Sequence, residues 1–184
     1  MGIFIALLRG INVSGQKIIK MATLREQLSS WGFEDVETYI QSGNLLLKSS
    51  MDNKEVKAVI QQGIRKQYGF EVPTLVLDIE NLERMIENQP FPEHYTADPK
   101  KFYLTFLGEK PNPDHVSEVK TFSFPPEEFA FGDGVVYFYS PDPYGKSKMS
   151  NSFFEKKLKV FTTSRNWKTA NILLEKAKKL EDLA

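Results

Sequence analysis

The sequence predicts an α+β fold built from two successive ferredoxin-like β-α-β-β-α-β halves with an extra C-terminal helix. Three observations predict it. Residues 3–77 read as strand, helix, hairpin, helix, strand. The same order returns from residue 102 onward. The first strand is apolar on both faces, which asks for cover on both.

Residues 3–8, Ile-Phe-Ile-Ala-Leu-Leu, form that first strand. Residues 10–17 follow as a glycine-bearing loop. Met21, Leu24, Leu28 and Trp31 then recur at helical spacing until Gly32 stops the helix. Residues 36–40 and 45–48 flank Ser42-Gly43 as a hairpin. Asp52 and Glu55 have the spacing of a capping box and open a helix with Val56, Ile60 and Ile64 inward, ending near Gly69. Residues 72–77 close the first half.

Asp78 caps a linking helix with Leu82, Met85 and Ile86 inward, broken by Pro90 and Pro92. The joint between halves is placed in residues 88–100, dividing the chain into 1–88 and 89–184, with the two packed as one unit. In the second half, residues 102–107 form a strand and a short helix follows Pro113. A two-residue loop at Asp133-Gly134 sets the next hairpin so that Phe131 faces Val136 and Phe129 faces Phe138. Tyr137 and Tyr139 then lie on the opposite sheet face, where they pack or offer a base-stacking surface. Residues 152–158 read as helix, 160–162 as a brief strand, and Trp167, Ala170, Leu174, Ala177 and Leu180 as a terminal amphipathic helix.

The chain has no cysteine, which excludes a disulfide scaffold, thiolate metal sites and cysteine nucleophiles. His94 and His115 stand singly, without metal-ligand spacing, so no metal is expected. The opening residues lack a basic leader and their apolar run is too short to span a bilayer, so a cytoplasmic, non-membrane protein is expected. Net charge is zero but unevenly spread. Residues 1–20 hold three bases and no acid, residues 71–142 hold fourteen acids and five bases, and residues 143–184 hold ten bases and four acids. A positive face forms if the fold joins the two ends; otherwise these lysines are solvated decoration.

Arg9-Gly10-Ile11-Asn12-Val13-Ser14-Gly15-Gln16-Lys17 links a buried strand to a helix. Its glycines have phosphate-loop spacing, but Gln16 stands where a nucleotide triphosphatase needs lysine. It reads as an anion loop or as a plain connector. Gln41-Ser42-Gly43-Asn44 reads first as a turn, with amides free to face a ligand. In the run from Thr162 to Thr169, a hydroxyl is expected to cap the last helix, with Arg165 at its start gripping an anion or paired internally.

Leu7-Leu8-Arg9-Gly10-Ile11-Asn12-Val13, Tyr39-Ile40-Gln41-Ser42-Gly43-Asn44, Ser147-Lys148 and Thr163-Ser164-Arg165-Asn166-Trp167-Lys168-Thr169, in this order, resemble the uncharacterised bacterial family known as domain of unknown function 1697. The resemblance spans essentially the whole chain. Two residues depart from the family pattern: Ser14 replaces a glycine and Lys168 replaces an asparagine. The resemblance implies a single full-length unit and names no substrate.

The candidate ligand-binding residues are Arg9, Asn12, Lys17, Gln41, Ser42, Asn44, Lys148, Arg165 and Asn166. They are expected to meet in one polar site formed by both halves, binding a phosphorylated or otherwise anionic ligand: a nucleotide, nucleic acid or metabolite. No cofactor, catalytic residue or oligomeric state is assigned. A transferase acting by charge stabilisation and a protein–protein adaptor are the alternatives.

Overall fold

The computed structural model describes residues 1–92 and 97–183. His94 lies outside the described residues. The elements are β1 Gly2–Leu8, α1 Met21–Ser30, β2 Glu34–Tyr39, β3 Asn44–Ser49, α2 Asn53–Tyr68, β4 Thr74–Asp78 and α3 Ile79–Glu87. Then come β5 Phe102–Leu107, α4 Pro113–Val119, β6 Glu128–Gly132, β7 Val135–Tyr139, α5 Asn151–Leu158, β8 Thr162–Asn166 and α6 Trp167–Asp182. The strands form two four-stranded antiparallel sheets, ordered β2-β3-β1-β4 and β6-β7-β5-β8. Each is the ferredoxin-like order read from its hairpin edge.

Two compact units result: Met1–Glu83 with Ile172–Ala184, and Arg84–Asn171. A division by element order cuts at residue 88, whereas here the end of α6 belongs with the first sheet. Lys176 Nζ donates to Glu37 Oε2 at 2.6 Å, tying that end to β2, and Lys178 pairs with Glu83.

In the first unit, α1 and α2 pack on the sheet face carrying Phe4, Ala6, Leu8, Leu45 and Leu47. Ile3, Ile5, Leu7 and Leu46 are buried on the opposite face. An interior strand buried on both sides has no polar alternation, which is why β1 reads as a continuous apolar run. Asp52 and Glu55 form the capping box at the start of α2, and Gly69 ends that helix in a left-handed conformation at φ 75°.

In the second unit, Phe129 pairs with Phe138 and Phe131 with Val136. The two-residue loop therefore sets the register as predicted. Those side chains pack with Tyr103, Leu107, Phe154 and Leu158 in an aromatic-rich core. Tyr137, on the other face, is buried, stacks on Phe102 at 6.5 Å and donates its hydroxyl to Met85 O at 2.6 Å. It is a packed residue and offers no open base-stacking surface. Burial pushes its phenol up to about 12.

The largest departure is β8. The sequence places a brief strand at residues 160–162 and a polar connector after it; the structure makes Thr162–Asn166 a strand paired to β5. Its polar side chains are compatible with burial because they have hydroxyl and amide partners. Thr105 Oγ1 and Ser164 Oγ are 2.7 Å apart, and Ser164 Oγ and Thr162 Oγ1 both donate to Asn151 Oδ1, at 2.8 and 3.0 Å. Arg165 accordingly sits within a strand rather than at a helix start. Asn166, not a hydroxyl, caps α6, its Oδ1 accepting from Thr169 N–H at 2.9 Å.

Candidate functional site

Loop 9–20 leaves the central strand β1, and backbone constraints set its path. Gly10, Asn12, Ser14, Gly15 and Lys17 all have positive φ, between 46° and 75°. Ser14 and Gly15 occupy the centre of a tight turn closed by Gln16 N–H donating to Val13 O at 2.9 Å. Two successive left-handed residues are the mark of a primed turn, which glycine tolerates and serine enters at a cost.

Three side-chain and backbone ties hold the loop. Asn12 Nδ2 donates to Ile19 O at 3.0 Å and to Gln41 O at 2.8 Å, while its Oδ1 accepts from Ile19 N–H at 2.9 Å. Lys17 Nζ donates to Glu71 O at 2.6 Å and stands 5.9 Å over the Phe70 ring. Arg9 N–H donates to Pro73 O at 3.0 Å. Asn12 therefore joins loop 9–20 to the β2–β3 turn, residues 40–43.

That turn is tight. Gly43 has φ 80°, and a Cβ there would lie 2.6 Å from Leu8 Cβ and 2.9 Å from Ile11 Cδ1. Asn44 is fully buried and spans the turn, with Nδ2 donating to Tyr39 O and to Ser42 Oγ, each at 3.0 Å. Ile40 is β-branched, has φ 50° and is exposed. Gln41 and Ser42 are exposed beside it.

Among the predicted site residues, the first unit thus gathers Asn12, Gln41, Ser42 and Asn44. Asn12 and Asn44 bond to the surrounding loops, which makes them builders of the site's shape. Lys17 fastens the loop's far end. Val13, Ile18 and Ile40, exposed apolar residues on these loops, were not read as site residues from sequence. Nothing in hydropathy distinguishes them from core residues; their exposure depends on left-handed backbone that sequence patterns do not reveal.

Next to the loop's anchors lies a cleft of about 320 Å³ lined by Gln61, Gln62, Arg65, Glu71, Val72 and Pro73. Two of these residues, Glu71 and Pro73, accept the bonds from Lys17 and Arg9. At the loop's other end, α1 begins at Met21 after Lys20, with no side-chain cap and no acid in its first turn. Every other α-helix among the described residues starts with a capping side chain: Asp52, Asp78, Asn112, Ser150 or Asn166. The first N–H groups of α1 therefore keep their positive end of the helix dipole uncompensated.

Lys148, Arg165 and Asn166 belong to the second unit. Arg165 Nη1 donates to Thr163 Oγ1 at 3.0 Å and to Ser164 O at 2.8 Å. Burial pushes its guanidinium down to about 10, which leaves it charged at neutral pH. Lys148 lies on the loop before α5, its backbone N–H donating to Glu127 Oε2 at 3.3 Å. Tyr144, Asn151, Thr162, Ser164 and Thr105 form a neutral hydrogen-bonded group. Glu155 Oε1 accepts from the Thr162 backbone N–H at 2.9 Å, and together these bonds hold β8 to α5. Among the described residues no cluster of potential metal ligands occurs, and no helix is long and apolar enough to cross a membrane.

A family model described as "Protein of unknown function (DUF1697)" matches residues 1–137. No curated protein matches the chain. Among solved structures, the conserved bacterial protein SP0830 from Streptococcus pneumoniae is similar over 96% of this chain and 98% of that one. The two are 26% identical with a TM-score of 0.74, and the likeness is compatible with two repeated halves.

Proposed function

The chain belongs to the DUF1697 family of proteins of unknown function, and from that premise we propose that it binds a small phosphorylated or carboxylated ligand at the tied loops 9–20 and 40–43. One observation carries this reading. Of the six non-glycine residues with positive φ among the described residues, four lie on these two loops: Asn12, Ser14, Lys17 and Ile40. Each such residue costs on the order of 1–3 kcal/mol, and strain of this kind gathers where a ligand clamp needs a fixed shape.

Charge supports an anion. Residues 1–20 carry Arg9, Lys17 and Lys20 and no acid, and the uncapped start of α1 adds N–H donors.

A thermal-shift screen of nucleotides, sugar phosphates, dicarboxylates and short oligonucleotides tests the reading. A small anion at a hundred times its Kd adds about 2.7 kcal/mol of stability and raises the melting temperature. Lys20→Glu and Gln41→Ala, both at exposed positions, are expected to diminish that shift without lowering the unliganded melting temperature. A panel without any stabilising anion, or a shift untouched by both substitutions, overturns the proposal. Oligonucleotide binding that falls steeply with salt would instead assign a polyanion surface.

A further inference from the structure

We propose that the ligand of loops 9–20 and 40–43 is a nucleotide, its ring set against Val13, Ile18 and Ile40. The inference rests on the anion binding proposed for these loops and adds what the anion is attached to. Among the described residues, five large hydrophobic side chains are exposed. Met1 and Leu183 are at the ends of the chain; the other three, Val13, Ile18 and Ile40, are all on these two loops. Each of the three is more than half exposed. Single exposed apolar residues are ordinary, whereas a gathered set marks a binding surface.

Asn12 gathers them. Val13 follows it directly. Ile18 lies between Lys17, whose carbonyl accepts from Asn12 N–H at 3.2 Å, and Ile19. The N–H and carbonyl of Ile19 bond the Asn12 side-chain amide at 2.9 and 3.0 Å. Ile40 precedes Gln41, whose carbonyl accepts from Asn12 Nδ2 at 2.8 Å. Every member is therefore one residue from Asn12 or from a group bonded to it.

Chemistry narrows the occupant. A stable protein interface takes about 800 Å² from each partner, more than three side chains supply. An alkyl chain would leave the exposed Gln41 amide, next to Ile40, facing hydrocarbon. A heteroaromatic ring suits both neighbours, because its faces are apolar and its edge donates and accepts as an amide does. The charge on this stretch of chain is positive: residues 1–25 hold Arg9, Lys17, Lys20 and Arg25 and no acid. Glu71, whose carbonyl holds Lys17, has its carboxylate on Arg65 at 3.2 Å. A heteroaromatic ring that also carries phosphate is a nucleotide.

Calorimetric titration of the full-length chain with adenosine, guanosine, cytidine and uridine monophosphates, each compared with ribose phosphate, tests the inference. At least one nucleotide should bind about ten-fold or more tightly than ribose phosphate. Val13→Ser with Ile18→Ser should bring that nucleotide down to the ribose phosphate level at unchanged melting temperature, since both side chains are exposed. Nucleotides that bind no better than ribose phosphate, or whose advantage survives both substitutions, overturn the inference and leave anion binding standing. If none of the five compounds binds, the inference falls, and anion binding falls with it only if the wider ligand screen is also blank. Capture by phosphatidylglycerol vesicles without nucleotide binding, abolished by the double substitution, would overturn it in favour of a lipid surface.

Discussion

The two halves share one strand order but differ in which strand–helix connection is long. In the first half, β1 reaches α1 through residues 9–20, while β3 reaches α2 through residues 50–52. In the second, β5 reaches α4 through residues 108–112, and β7 reaches α5 through residues 140–150. Two of the four polar motifs lie on the long connections, Arg9 to Val13 on one and Ser147-Lys148 on the other, while the other two lie on the β2–β3 turn and on β8 with the start of α6. Topology is repeated because it depends on element order and apolar faces. Chemistry is not repeated, because it depends on loops that the sheets leave free to diverge.

The hairpin turns give the sharpest way to break that comparison. Gly43 and Gly134 both have positive φ, at 80° and 70°. Alanine at Gly43 meets Leu8 Cβ at 2.6 Å, whereas at Gly134 it meets the flexible Met85 Cε at 3.0 Å. Adding left-handed strain to overpacking, Gly43→Ala should cost about 3–4 kcal/mol and Gly134→Ala about 1–2 kcal/mol in urea denaturation. Equal costs would mean that the first turn is no tighter than the second.

Asn12→Ala comes next. It removes three hydrogen bonds and leaves alanine at a left-handed position, for an expected loss of about 2–3 kcal/mol. Protease cleavage within residues 9–20 should rise with it. A neutral substitution would show that the loops are joined by other means.

The buried faces of the two sheets differ as well. Leu46 of β3 lies opposite Ile5, while Tyr137 of β7 occupies the matching place opposite Leu104. The phenol of Tyr137, raised to about 12 by burial, favours the fold fully below its unfolded value near 10 and loses that contribution as pH rises from there through the folded value. The chain should therefore lose about 2 kcal/mol between those limits, and Tyr137→Phe should flatten that part of the profile. An unchanged profile would remove Tyr137 as its source.

A smaller effect of opposite sign is expected at Ile40, an exposed β-branched residue at φ 50°. Ile40→Asn should stabilise the chain by about 1 kcal/mol, since asparagine tolerates that conformation better. If the strain serves binding, the same change weakens the anionic ligand.

Much of this was legible in the sequence. The apolar run of β1, the Asp52–Glu55 cap and the Asp133-Gly134 register depend on local patterns, and each recurs in the structure. β8 was not legible, because Thr162 and Ser164 carry no hydrophobic alternation and find their partners on α5 and β5. The candidate site was legible only as segments. Polar residues between β1 and α1 and between β2 and β3 stand out, and Asn12 does join the two. An amide that binds backbone and one that binds ligand have the same donors and acceptors, so the structural tasks of Asn12 and Asn44 needed coordinates.

The central claim is that an anion is held by the first half's loops. Its most direct test is an amide NMR titration of the full-length chain with inorganic pyrophosphate and with the best stabiliser from the ligand screen. The expected result is saturable shifts confined first to residues 9–23 and 40–43, with the N–H groups of Met21, Ala22 and Thr23 moving downfield as they gain an acceptor. Shifts confined to residues 84–171, or no saturable shift with either compound, would contradict it.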